Sequence, residues 1–251
     1  MSGHSKWSTI KRKKGAADAK RGAVFTRVAK EIALAAREGG GDPDTNFSLR
    51  IAVDKAKAAN MPKDNIERAI KRGTGEGKDG TAYEEIMYEG YAPHGVALMI
   101  ETVTDNRNRA VSDIRHILSR YGGGMGETGS VAWQFTRASY FEFSSEGLDE
   151  DEIYMYAIEG GADDISFEDD NAEIVGPVSA FKTVGDQLRL AGIKIEDAGL
   201  RMVPNQELEL GVDDALKVMK VIEALEELDD VQDVYSNLHI SDDILAKMEA
   251  D

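Results

Sequence analysis

Cysteine is absent from the chain, which excludes disulfide scaffolds, thiolate zinc sites, Fe–S clusters and cysteine nucleophiles. No long apolar run is present either. The longest clean one, Val96 to Ile100, is far too short to span a bilayer. The opening Met1-Ser2-Gly3-His4-Ser5-Lys6-Trp7 contains no apolar h-region, so no secretory signal is expected and the cytoplasm is the simplest compartment. Metal-ligand spacing is lacking as well. His4, His94, His116 and His239 are dispersed without an i,i+4 pair or a nearby second ligand. The acidic runs Asp149-Glu150-Asp151-Glu152 and Glu168-Asp169-Asp170 do not have the spacing of a calcium loop. No Ser/His/Asp order or nucleophile elbow is visible.

Two glycine-rich stretches imitate nucleotide motifs and fail on context. Gly124-Met125-Gly126-Glu127-Thr128-Gly129 is a literal G-x-G-x-x-G, but it follows a helical segment and precedes an extended one. A dinucleotide site needs the reverse order, so that a helix N-terminus faces the pyrophosphate. Around Gly73 to Lys78, Asp79 stands where a phosphate loop needs Ser or Thr, and Arg72 takes the place of its leading glycine. The first stretch is read as a tight connection and the second as a linker.

What is present is an ordinary globular composition, with 41% hydrophobic and 31% charged residues in 251. A disordered acidic chain would be poorer in Val, Ile, Leu and aromatics. The formal charge of −17 argues, taken whole, against a nucleic-acid partner. Its distribution argues the other way. Residues 1–78 hold 18 Lys/Arg against 9 Asp/Glu, a balance of +9, and residues 79–251 hold the remaining 12 against 38, a balance of −26. A basic third on an acidic body points to an electrostatically guided polyanion partner. The basic arm combines His4, Lys6, Trp7, Lys11, Arg12, Lys13, Lys14, Lys20 and Arg21, which is phosphate-neutralising charge with one stacking aromatic. Arg27 and Lys30 extend it onto the first helix. Arg107 and Arg109, in Thr104-Asp105-Asn106-Arg107-Asn108-Arg109, form a secondary candidate patch, while Asp105 or Asn106 caps the following helix.

Periodicity divides the chain. Val24, Val28, Ile32 and Ala36 make an apolar stripe over 23–37, with Arg27, Lys30 and Arg37 away from it. Gly39-Gly40-Gly41 ends that helix. A second, capped by Asp44, Thr45 or Asn46, runs to about Asn60 and buries Phe47, Ile51 and Ala52, and a third starts near Pro62 and stops at Gly73. Strands follow at 84–91 and 96–103, then a helix at 107–121 and a strand at 130–135. From 138 the order is βαββαβ, the ferredoxin-like pattern: strands 139–143, 163–168, 172–176 and 194–203, helices 149–159 and 178–191. A strand near 206–210, a helix 213–227 and a strand 231–237 make half a domain. They complete the unit left open before 138.

The residues then resemble a known family. Gly3-His4-Ser5-Lys6-Trp7, Asp18-Ala19-Lys20-Arg21-Gly22, Gly39 to Asp44, Tyr88-Glu89-Gly90-Tyr91, Thr104 to Arg109, Gly126-Glu127 to Phe135, and Asp229-Asp230-Val231-Gln232-Asp233-Val234-Tyr235-Ser236-Asn237 are similar to the YebC/PmpR family over essentially the whole chain. The family commonly has Tyr-Gly-Pro-Gly-Gly where this chain has Tyr91-Ala92-Pro93-His94-Gly95. The resemblance implies an N-terminal helical domain and two α+β domains, the third inserted in the second, with no catalysis. Members are described as DNA-binding transcriptional regulators and relatives as translation factors at the ribosome, one branch mitochondrial. A mitochondrial member would carry a transit extension before the Gly3-His4-Ser5 segment, so bacterial cytoplasm is expected.

The expectation is therefore an α+β multidomain protein: a helical bundle at 1–78, an α+β domain of ferredoxin-like type at 79–137 plus 204–251, and a second such domain at 138–203. Its expected role is a non-enzymatic, cofactor-free, nucleic-acid-binding regulator of gene expression, away from membranes. A DNA-binding transcriptional regulator, a translation factor on rRNA or tRNA, and an acidic scaffold for a basic protein partner are the three readings. The leading site residues are His4, Lys6, Trp7, Lys11, Arg12, Lys13, Lys14, Lys20, Arg21, Arg27 and Lys30, with Arg107 and Arg109 second.

Overall fold

Three amphipathic helices open the computed structural model, which describes residues 21–76, 83–168 and 170–250. They are α1 (Arg21–Gly39), α2 (Phe47–Ala58) and α3 (Lys63–Gly73). Val28, Ile32 and Ala36 of α1 meet Leu49, Ala52 and Ala56 of α2 and Ile66 and Ala69 of α3 in one core. The many alanines let the helix backbones approach closely. At Gly73 an added Cβ would lie 2.2 Å from the Ala33 carbonyl oxygen, so α3 ends against α1 where only glycine fits. One side chain organises the first corner: Asn46 accepts from Leu49 N at 3.1 Å to cap α2, and its amide donates to the Ala35 carbonyl at 2.7 Å. Of the three capping candidates, Asn46 is the N-cap. The α2–α3 connection is only four residues, 59–62, shorter than the glycine-rich corner before it.

The next elements are β1 (Glu84–Tyr91), β2 (Ala97–Thr104), α4 (Arg107–Arg120), the two-residue β3 (Gly124–Met125) and β4 (Phe135–Ser144). They are followed by α5 (Glu150–Gly160), β5 (Asp164–Glu168), β6 (Asn171–Pro177), α6 (Phe181–Leu190), β7 (Asp197–Pro204), α7 (Val212–Glu226), β8 (Val231–Ser236) and α8 (Asp242–Ala250). Two antiparallel four-stranded sheets result, with orders β3-β1-β2-β8 and β5-β6-β4-β7. The second sheet has the ferredoxin-like order. Its strands are threaded between β3 and α7, so the first sheet is completed only when the chain returns at β8. The α+β class with one unit inserted in another is thus the observed architecture.

Each sheet buries one face under helices. Leu98, Ile100 and Val234 pack against Ile114, Leu118, Val218 and Ile222 in the first unit. Phe141, Phe143 and Ile174 pack against Ile153, Ala157, Val184 and Leu188 in the second.

Two expected strands are absent as such. Over 130–135 the chain makes a short 3₁₀ turn at Ala132–Gln134, and β4 starts only at Phe135. The backbone N–H groups of Gly129, Val131 and Ala132 donate to the Glu89 carboxylate at 2.6, 2.6 and 2.9 Å, so these donors are taken from any ladder. Near 206–210 only a single bridge forms, between Leu208 and Leu238. The turn at 92–95 forms as expected, with His94 at φ 65°. That left-handed position is one where the resembled family commonly has glycine.

The bundle is docked on both α+β units. Phe47 enters the second sheet's core, edge-on to Phe181 at 5.2 Å. Its ring lies so close to α6 that a Cβ on Gly185 would sit 2.3 Å from it. Phe47 and Ile51 are thus covered by another domain rather than by the bundle itself.

Candidate nucleic-acid interface

The arm residues His4, Lys6, Trp7, Lys11, Arg12, Lys13, Lys14 and Lys20 lie outside the described residues, and Arg21 is the first residue of α1. The rest of the expected patch is dispersed. Lys30 is 5% exposed, and its ammonium donates at 2.7 Å both to the Asp230 carboxylate and to the Asp229 carbonyl. A buried, paired ammonium is not available to phosphate, so Lys30 is a docking residue between α1 and the first sheet and leaves the candidate list. Arg27 donates to the Glu226 carbonyl. Arg109 forks onto Asp230, at 2.9 and 3.0 Å, and onto Asp105 at 2.9 Å. Hence Arg107 and Arg109 are not an equivalent pair. Arg107 is the outward one, with a side chain 68% exposed and Glu84 at 3.8 Å.

Asp230 is the hub of this contact. Burial works to raise its carboxyl, and hydrogen bonds from Lys30 and Arg109 outweigh that and hold it below the ordinary value. On the bundle, Lys57, Lys63, Arg68 and Lys71 are exposed. Lys57 and Lys63 pair with Asp54 and Glu67 on their own helices. Arg68 and Lys71 line an open pocket of about 460 Å³ between α1, α3 and Tyr83. In its wall Arg72 stacks over the Tyr83 ring at 4.2 Å and donates to its hydroxyl at 2.7 Å.

Two features went unmarked in the sequence reading. Trp133 is 72% exposed, yet its indole N–H is tied to the Ser130 carbonyl at 3.0 Å, on the loop that Glu89 gathers. Burial acts to raise the Glu89 carboxyl, but three backbone N–H donors hold it below its ordinary value. The second feature is a cleft of about 380 Å³ where α1, α2 and both sheets meet. In it Lys55 pairs with Asp197 at 2.7 Å and approaches Glu31 at 3.7 Å. Burial opposes the Lys55 charge, and Glu31 and Asp197 overcome it and raise the ammonium above its ordinary value. Glu101 accepts from the Tyr235 hydroxyl at 2.9 Å. Burial, reinforced by Asp233, pushes the Glu101 carboxyl up to about 8. Two of these residues, Asp233 and Tyr235, belong to the segment Asp229 to Asn237 on which the family resemblance rests, and that was the available signal.

Among the described residues no helix is long and apolar enough to cross a membrane, and no group of three or more His, Asp or Glu could hold a metal ion.

Comparison with known proteins agrees over the full length. The family model "TACO1/YebC protein N-terminal domain" matches residues 5–76, and "TACO1/YebC second and third domain" matches residues 83–238. A relative from Trichlorobacter lovleyi, "Probable transcriptional regulatory protein", is 51% identical over 99% of this chain and 100% of its own. Relatives with the same designation from Rubrobacter xylanophilus and Chlorobium phaeobacteroides are 52% and 49% identical over 99% and 100% of this chain. Both are matched over at least 99% of their own lengths. The crystal structure of a conserved hypothetical protein from Aquifex aeolicus superposes with a TM-score of 0.82 at 42% identity, covering 91% of this chain and 94% of that one.

Proposed function

The chain belongs to the TACO1/YebC family, and from that premise we propose that it is a non-enzymatic regulator of gene expression that binds nucleic acid through its basic N-terminal segment. The observation that carries this reading is the division of charge, +9 over residues 1–78 against −26 over residues 79–251. Lysine and arginine on a polyanion release condensed counterions, so binding free energy comes chiefly from the arm and is strongly salt-dependent. The arm supplies Lys6, Lys11, Arg12, Lys13, Lys14, Lys20 and Arg21 as phosphate contacts, and His4 and Trp7 as groups that can stack or bond a base. Arg107 is a secondary contact.

Replacing Lys11, Arg12, Lys13 and Lys14 with glutamate tests the reading. Binding should fall steeply, and the slope of log affinity against log salt should shrink by roughly 2.8 to 3.6, at about 0.7–0.9 per lost phosphate contact. An unchanged affinity and slope would sink it.

A structured RNA, on or off the ribosome, is the second reading. What favours it is the acidic body, which a long duplex would repel everywhere except along the basic face. Sedimentation of a lysate through sucrose at low and high salt separates the two. Salt-sensitive comigration with ribosomes supports RNA, and sequence-specific duplex footprints without comigration support DNA.

A further inference from the structure

Strand β8 contains an irregularity that the fold does not need. Opposite β2, Asp233 pairs with Glu101 and Val231 with Thr102, so Gln232 is an extra residue without a partner. Bulges of this kind re-aim a side chain and concentrate beside functional sites. Here the re-aimed residue lines the three-domain cleft. Gln232 is 4% exposed, and neither its amide nitrogen nor its amide oxygen has a hydrogen-bond partner. A buried amide whose donor and acceptor are both unmet within the protein leaves both available to a group that enters the cleft.

The surrounding charge says what kind of ligand. The lining holds six carboxylates and four cations, and the cations are engaged. Lys55 and Arg201 are both held by Asp197, Arg27 donates to the Glu226 carbonyl, and Arg137 lies 3.9 Å from Glu85. Glu101 and Asp233, directly opposite across the ladder, have no described cation within 4.0 Å. Two bare carboxylates in that position repel, and burial together with Asp233 pushes the Glu101 carboxyl up to about 8, so the unliganded pair keeps a proton at neutral pH that a bound cation would replace. A planar guanidinium relieves such a pair by donating to both carboxylates. A nucleotide would bring further negative charge into an acidic cleft.

We propose that the cleft binds an arginine residue, its guanidinium between Glu101 and Asp233 and its peptide group closing on the Gln232 amide. The arginine can be a free amino-acid derivative or part of a basic protein segment. This site is independent of the arm, because all of its residues lie in the described body.

The test is calorimetric titration of the full chain with Nα-acetyl-argininamide, and with the same residue inside a short basic peptide. Saturable one-to-one binding is expected, weakened at least about tenfold by Glu101→Gln and by Gln232→Leu. Gln232→Leu should also raise the melting temperature of the free protein, because it removes an unpaired buried amide. Tighter binding of the peptide assigns the site to a protein partner, and tighter binding of the free derivative assigns it to a small molecule.

No saturable binding at about 10 mM, where a millimolar ligand would already fill the site, overturns the proposal. Preferential binding of adenosine monophosphate, or equal affinity of both variants and the parent, does so as well. If Gln232→Leu fails to fold, Glu101→Gln and Asp233→Asn decide the matter by the same criterion. The arm-reversed protein should bind argininamide unchanged, so failure of the nucleic-acid reading and failure of this one are distinguishable.

Discussion

Replacing Lys30 with methionine separates docking from nucleic-acid contact. The ammonium makes two short hydrogen bonds, to Asp229 O and Asp230 Oδ1, both at 2.7 Å. Charge-assisted bonds of this kind contribute roughly 1.5–3 kcal/mol each. Two effects reduce the loss: methionine retains the apolar stem, and Arg109 stays on Asp230 at 2.9 Å, so the carboxylate is not stranded. The net cost should be about 3 kcal/mol, at the lower end for breaking a buried pair. For a chain of this length that corresponds to a fall in Tm of roughly 6–12 °C. An exposed pair is the control: Lys63→Met breaks Lys63–Glu67 at 3.6 Å and should change stability by no more than about 0.5 kcal/mol. The pH dependence has a defined sign. The folded-state pKa of Asp230 is depressed, so its stabilisation is present above the ordinary value of 3.8 and is lost as pH falls through the lower folded value. The difference between parent and Lys30→Met should therefore narrow in acid. Urea unfolding at neutral and acid pH measures both quantities. A neutral-pH difference below about 0.5 kcal/mol would refute the assignment of Lys30 to docking, as would a large loss of nucleic-acid affinity in the folded variant.

Gly73→Ala forces a Cβ to 2.2 Å from the Ala33 carbonyl oxygen; because backbone rather than a flexible side chain must yield, thermal unfolding should show a loss of about 1–3 kcal/mol. Glu89→Gln turns an amide donor toward at least one of the three N–H groups that now meet a carboxylate, and it should cost about 2 kcal/mol. The same loop reports on acid. With the Glu89 carboxyl depressed in the fold, its contribution is complete above 4.5 and falls away as pH drops toward the folded value. Trp133 emission in a Trp7→Phe background should shift in that window, and should be flat there in Glu89→Gln.

Helices and most strands were legible because each carries its own period. The stripe of α1 and the continuous apolar run of β2 do not depend on what lies opposite. Ser130 to Phe135 misled for the same reason. Its composition reads as a strand, but the competing acceptor is Glu89, some forty positions earlier in the chain, and no local pattern displays it. Lys30 is the corresponding case in the site. On a helical wheel it stands off the apolar stripe of α1, which ordinarily means water. Its partner, Asp230, is on the other side of the inserted domain, so a surface cation in sequence became a buried one in the fold. Phe47 and Ile51 were correctly expected to be buried, but the surface that covers them belongs to another domain.

The cleft extends this point from single residues to chemistry. Its carboxylates come from α1, β1, β2, β7 and β8, and none of those elements is unusual alone in a chain with 47 acidic residues. Only the insertion brings them together, because it carries β7 to the side of β8 while the bundle closes over both. The net charge of 79–251 therefore has two consequences that one number conceals. Spread over the surface, it is what, on the proposed function, keeps the body away from phosphate and leaves that contact to the arm. Concentrated at Glu101 and Asp233 beside an unpaired amide, it makes a site that favours a cation. On the two proposals nucleic acid and a basic ligand engage different residues, the arm and the Glu101–Asp233 pair, so saturating argininamide should leave the salt slope of nucleic-acid binding unchanged.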